Sequence, residues 1–288
     1  MKKIACLLLT AAVITGLFSG CTVKVEEPTV PEQGVSGTAT EAPTDDSTTA
    51  APSAKAVAGT EDLSVEKIIW GPGTIEAHEQ PSEPLRLQEQ YAALSAEWLL
   101  EDQEKIALTF DEGYENGYTP SILDTLKEKD VKAIFFVTYD FARDNPELVQ
   151  RMLEEGHTVG NHSYHHYSMD ELDTDTAREE VTFLHDYIKE NFGYDMQYFR
   201  FPKGEFSEKT LGILQELGYR SIFWSYAYAD WDPNDQPAED AAFARICEST
   251  HPGEIMLLHA VSATNAAILG RVIDDVRQQG YTFSTALE

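Results

Sequence analysis

Three of the chain's eight histidines, His162, His165 and His166, fall within five residues. His162 and His166 are four apart, so a helical turn or a tight loop brings both imidazoles onto one face. Neutral imidazole is the commonest metal ligand, and two on one face supply half of a tetrahedral site. A polar surface turn has the same spacing, and what else arrives beside the pair decides between the two. Asp111 and Glu112 follow the apolar run 106–110, Arg200 lies late in the run 198–201, Asp230 comes a few residues after Trp224, and His259 directly follows the run 255–258. Two imidazoles with one or more carboxylates make a hydrolytic metal site, in which bound water has a pKa near about 7 and a substrate carbonyl is polarised. Asp111 is a candidate general base and His259 a candidate general acid. Arg200 could hold Asp111 ionised, and Asp230 could keep the imidazolium form of His259 accessible. Together these groups suit amide or ester hydrolysis. Alone, each has a plainer reading: an acidic turn at Asp111-Glu112-Gly113, a surface ion pair at Arg200, a satisfied half-buried histidine at His259. Their joint placement favours chemistry.

Such residues must be carried by elements that bring distant segments together. Apolar runs at 106–110, 133–137, 157–159, 198–201, 221–224, 255–258 and 281–284 alternate with amphipathic stretches. The latter are predicted as helices over 120–129, over 146–155 with Asn145 as its cap, around Val181, Leu184 and Ile188, over 241–247, and from Ile268 to Val276. This alternation implies an α/β fold with a parallel sheet under helical cover, and about seven units fit a distorted (β/α) barrel, complete or incomplete. In such a barrel the C-terminal ends of the strands converge on one face, where the candidate groups stand.

The N-terminal quarter reads differently. Met1-Lys2-Lys3, the apolar run 4–18 and Ser19-Gly20 before Cys21 form a secretory signal over residues 1–20. Leu17-Phe18-Ser19-Gly20-Cys21 resembles a bacterial lipoprotein cleavage box, which predicts lipidation at Cys21 and a membrane anchor. Residues 21–60, rich in Thr, Ser, Pro and Glu, are expected to be a flexible tether. Residues 61–104 are expected to be an extension packed on the barrel, with helical spacing over 85–100 through Leu87, Tyr91, Leu94 and Trp98. The formal charge of -29 counts against nucleic acid as a partner. Cys247, within a helical stretch, reads as a buried small hydrophobe.

Residues 105–288 resemble the polysaccharide deacetylases, carbohydrate esterase family 4, through five ordered motifs. These are Thr109-Phe110-Asp111-Glu112-Gly113, His162-Ser163-Tyr164-His165-His166, Arg200-Phe201-Pro202-Lys203-Gly204, Asp230-Trp231 and Leu257-Leu258-His259. The resemblance implies a distorted (β/α) barrel in which Asp111 is the base, His162 and His166 ligate a divalent metal, Arg200 tethers the base, and Asp230 tunes His259 as the acid. It implies that Trp231 and Leu257 line a pocket for the acetyl methyl. Glu112 stands where the family has a second aspartate, and is expected as the third ligand, directly or through water. Zinc is the expected metal, with cobalt, nickel or manganese as alternatives. The segments 112–118, 160–166, 206–211 and 258–266, with Trp70-Gly71, resemble the delta-lactam-biosynthetic branch, which is implied to deacetylate N-acetylmuramic acid in peptidoglycan. Two alternatives stand beside it: a deacetylase for N-acetylglucosamine of peptidoglycan or another glycan, and a non-catalytic wall-binding lipoprotein with the same fold.

Overall fold

The computed structural model describes residues 59–73, 75 and 77–287. The signal segment, Cys21 and all but the last two residues of the tether lie outside them. Among the described residues, no helix is long and apolar enough to cross a membrane.

The chain enters through β1 (Ile68–Ile69), α1 (Ser82–Tyr91) and β2 (Ala96–Glu97). Then β3 (Lys105–Glu112), α2 (Thr119–Glu128), β4 (Ile134–Val137), α3 (Tyr139–Asp144), α4 (Pro146–Glu154) and β5 (Thr158–Asn161) follow, and α5 (Thr174–Phe192) leads to β6 (Tyr198–Phe199). The remainder is β7 (Glu205–Phe206), α6 (Glu208–Glu216), β8 (Arg220–Ile222), α7 (Glu239–Ser249), β9 (Ile255–His259), α8 (Ala263–Gln278) and β10 (Thr282–Phe283). The main sheet runs β10-β3-β4-β5-β6-β8-β2, with β9 on β3 beside β10, and every pairing in it is parallel. Parallel strands are covered on both faces, which is why β3 is buried over all but its first residue and reads as a continuous apolar run. Beyond β8, Tyr226 forms a parallel bridge to Met256 of β9. With a second, antiparallel bridge from Leu99 to Glu254, the sheet curls toward closure through isolated bridges, as a distorted barrel does.

The extension departs from expectation. The helix predicted over 85–100 stops at Tyr91, a short 3-10 turn follows, and Ser95 takes a left-handed φ of 54°. Residues 96–97 then join the main sheet against Ser221 and Ile222 of β8. Gln88 from α1 fixes this reversal, its side-chain oxygen accepting from the backbone N–H groups of Trp98 and Leu99 at 2.9 and 2.7 Å. The extension is therefore part of the barrel rather than a layer on it. Trp98 stacks on Phe223 with ring centroids 4.3 Å apart and packs against Trp70 and Phe206. Asn145 holds the N-cap position of α4, as expected, but its side chain makes no capping bond; it donates instead to the Phe141 carbonyl of α3. Cys247 lies on α7, buried, and burial pushes its thiol up to about 12.

Candidate active site

Because the strands are parallel, their C-terminal ends share one face, and the candidate groups meet there. A cavity of about 630 Å³ is lined by Asp111, His162, His166, Trp231, Leu257 and His259, together with Trp70, Tyr114 and Lys203. Asp111 of β3 and His259 of β9 are register partners on adjacent strands, which sets the candidate base and acid side by side.

The Asp111 half is buried. Arg200, fully buried, donates from Nη1 to Asp111 Oδ1 at 2.9 Å and to Thr109 Oγ1 at 2.8 Å. Its Nε and Nη2 donate to the carbonyls of Ile222 and Phe223, both at 3.1 Å, and its guanidinium lies 4.1 Å over the Phe136 ring. Phe136 can take that place because its register partner is Gly160, where a Cβ would meet the ring at 2.5 Å. Burial alone would raise the Asp111 carboxyl, but Arg200, with His162 and His259, holds it below the usual carboxylate range.

His162 and His166 sit on the loop after β5, where Ser163 and His166 adopt left-handed φ values of 72° and 60°. Asn161 Oδ1 accepts from Ser163 N–H and Ser163 Oγ from His166 N–H, at 2.8 and 2.9 Å, and the two imidazole centroids are 4.8 Å apart. Nδ1–H of His162 donates to the Arg200 carbonyl at 2.9 Å, leaving the Nε2 lone pair free, 3.6 Å from Asp111 Oδ2. Burial drives both imidazoles toward the neutral form, His166 to about 4. Two neutral imidazoles, one with its tautomer fixed, fit as metal donors.

Glu112 does not join them. Adjacent strand residues point to opposite faces, so with Asp111 turned into the cavity, Glu112 is turned out of it. Its carboxyl is fully buried, with both oxygens 3.4 Å from Thr119 Oγ1 at the start of α2. Burial, reinforced by Glu115, raises it well above the carboxylate range and favours the neutral acid. Among the described residues, no three His, Cys, Asp or Glu side chains are grouped to hold a metal. The histidine pair fits the role expected of it and Glu112, as placed, does not.

On the other side, Asp230 Oδ1 accepts from His259 Nδ1 at 2.7 Å and Asp230 Oδ2 accepts from the His259 backbone N–H at 2.8 Å. Burial would lower the His259 imidazole, but the Asp230 carboxylate raises it above its ordinary value. Asn265, in the first turn of α8, donates to Asp230 Oδ2 at 2.6 Å and receives the Tyr228 hydroxyl. Trp231 is 59% exposed, with its ring 6.1 Å from that of His259. Trp70 forms another wall, its N–H donating to the Gly204 carbonyl at 2.9 Å and its indole to the Trp224 carbonyl at 3.1 Å. Only glycine suits position 204, because φ is 69° and a Cβ would stand 2.8 Å from the Trp70 oxygen. Thr109 and Lys203 stand within the sequence motifs and Asn265 within the segment 258–266, but their contacts, like those of Tyr228, emerge only from the fold.

Residues 101–222 match the polysaccharide deacetylase family. The chain belongs to that family, and it is a deacetylase enzyme. Over 222 residues it is 41% identical to the peptidoglycan-N-acetylmuramic acid deacetylase PdaA of Bacillus subtilis, covering 76% of this chain and 84% of the relative. The structure of Bacillus subtilis PdaA, a family 4 carbohydrate esterase, superposes with a TM-score of 0.74 at 39% identity, over 77% of this chain and 96% of that one. A peptidoglycan-N-acetylglucosamine deacetylase, PgdA of Listeria monocytogenes, is 34% identical over 63% of this chain and 38% of its own length.

Proposed function

We propose that this enzyme works outside the cytoplasm and hydrolyses the N-acetyl group of an amino sugar in peptidoglycan, and that the sugar is N-acetylmuramic acid. The observation that carries the chemistry is the register pairing of Asp111 with His259 across one cavity, each backed by its own counter-ion, Arg200 and Asp230. Arg200 keeps Asp111 ionised to accept the proton of the attacking water. Asp230 keeps His259 protonated to donate to the departing nitrogen. Leu257 and Trp231 receive the acetyl methyl. His162 and His166 would hold a divalent ion, most simply zinc, with cobalt, nickel or manganese as substitutes; when bound, it acidifies water and polarises the acetyl carbonyl. Muramic acid differs from glucosamine by a lactyl ether with a carboxylate. Lys203, the one Lys or Arg among the described lining residues, supplies a matching cation at the cavity. N-acetylglucosamine is the second reading, supported by the likeness to PgdA.

Acetate release from peptide-free glycan strands and from intact peptidoglycan separates the two readings. The muramic reading expects peptide-free strands to be cleaved, with muramic residues losing their acetyl groups; activity confined to peptide-bearing chains would refute it. Lys203→Ala should weaken binding of such strands and leave an N-acetylglucosamine oligomer unaffected. For delivery, residues 1–20 act as a lipoprotein signal, Cys21 takes the lipid, and residues 21–60 span the gap from the membrane to the wall. Cys21→Ala should release the protein into the medium, and retention in the membrane fraction would exclude the anchor.

A further inference from the structure

Asp230 stands on the loop between β8 and α7, where no strand or helix fixes the direction of its carboxylate. A carboxylate in such a place turns easily about its last bond unless both oxygens are engaged. Here both are: Oδ1 takes the His259 Nδ1–H, while Oδ2 takes the His259 backbone N–H and a proton of Asn265 Nδ2. Asn265 also ties the two members of the pair together, because Nδ2 donates to the His259 carbonyl at 3.1 Å. Both partners of Nδ2 only accept, so the amide cannot be reversed without setting its oxygen against a carboxylate and a carbonyl. That oxygen instead receives the Tyr228 hydroxyl. Tyr228 lines the cavity, so one chain of bonds runs from the cavity wall through Asn265 to His259.

The place of Asn265 in α8 argues for the same duty. Ser262 is the N-cap, its hydroxyl accepting from Asn265 N–H at 3.0 Å, which makes Asn265 the third residue of the helix. A polar side chain there can reach back to the N-cap N–H and close a capping box. Asn265 does not; the Ser262 N–H goes to the His259 carbonyl at 3.3 Å, and the buried amide serves three partners outside the helix. The loop backbone is tied separately. Gln236 Nε2 donates to the Asp230 and Asp232 carbonyls, both at 2.8 Å, and the Ser262 hydroxyl donates to Gln236 Oε1. What is left to Asn265 is the direction of the Asp230 carboxylate.

We infer that Asn265 is a positioning residue for the acid: by gripping Asp230 and the His259 carbonyl together it keeps Asp230 Oδ1 on His259 Nδ1, and Tyr228 keeps the amide the right way round. The inference rests on the deacetylase reading for the duty of His259. A neutral imidazole has one proton for two nitrogens, and a carboxylate that holds Nδ1–H leaves Nε2 to take up and give the proton that faces the substrate. Asn265 itself touches no reacting atom.

Two readouts on the full chain test this. Asn265→Ala should lower kcat for acetate release by about ten- to a hundredfold, the order for a misplaced catalytic group, with KM within about twofold. In an Asp230→Asn background the same substitution should lower kcat by no more than about twofold, because Asn265 acts through Asp230. Equal losses in both backgrounds, as a general packing defect gives, overturn the inference. Tyr228→Phe keeps the ring and removes the donor, so kcat should fall by about two- to tenfold, the size of one hydrogen bond. Judged in the same two backgrounds, it decides the matter if Asn265→Ala melts early. The second readout needs no substrate. In nitrogen NMR spectra of the neutral histidines, with His259 assigned through His259→Gln, the wild type should carry the proton on Nδ1, and Asn265→Ala should shift the ring toward the Nε2–H form. A ring protonated on Nδ1 in both proteins alike refutes the inference. Should the wild type release no acetate, the deacetylase reading fails, while the spectra still report on Asn265.

Discussion

The site has two carboxylate–cation pairs on neighbouring strands, and they are built differently. Asp111 is paired with Arg200, a permanent cation sealed in the barrel and held by three backbone or hydroxyl oxygens besides the carboxylate. Asp230 is paired with His259, whose charge is labile and whose side chain is 23% exposed. A base must stay ionised through the working pH range, which a guanidinium ensures because it does not titrate. An acid must be able to lose and regain its proton, which calls for an imidazole reachable by solvent and biased by a buried carboxylate. On the proposed mechanism, the difference in burial is a difference in duty.

The contrast breaks most sharply at Asp111. Asp111→Asn keeps the shape and removes the proposed base, so acetate release should fall by about 10²- to 10⁴-fold, and the melting temperature should fall as well because the buried Arg200 guanidinium loses its counter-charge. Arg200→Ala should be the most costly for folding, by about 3–5 kcal/mol in denaturant unfolding, since it strands a buried carboxylate. On the other pair, the proposed mechanism needs His259 protonated, so activity should decline as pH rises through a value above the ordinary 6.5. Asp230→Asn removes the group that raises it, and the alkaline limb of the kcat profile should move to lower pH; a limb that stays put would assign it to another residue. Smallest is Glu112→Gln. A neutral, outward-turned acid exchanged for an amide should leave metal content and kcat within about threefold of wild type, whereas His166→Ala should abolish metal retention after dialysis. Metal lost from both variants alike would return Glu112 to the ligand set.

The barrel was legible in the sequence because strands buried on both faces read as unbroken apolar runs, with chemistry-bearing residues at their C-terminal ends. The two-residue strand β2 was not legible. Leu94 and Trp98 are buried whether the segment is helix or strand, so the helical period ran on past the point where Gln88 and Ser95 turn the chain. At Glu112 the signal was present and pointed the other way: alternation along β3 forbids Asp111 and Glu112 from facing one cavity. The motif position suggests a ligand, and the pleat turns the Glu112 carboxyl toward Thr119 instead. Asn265 falls in the segment 258–266, but its reach to Asp230 and its bond from Tyr228 were not legible, since nothing in an amphipathic helix or a loop marks the polar group that makes such a contact.

Trp70 and Trp98 set a practical limit on how the protein can be cut. The family's sequence signature starts at residue 101, which invites an expression fragment beginning near β3. That fragment would lack the strand beside β8, the ring stacked on Phe223 and one wall of the cavity. Phe206 and Phe223, buried in the whole chain, would face water and favour aggregation. The smallest unit expected to fold and act alone therefore begins upstream of Trp70.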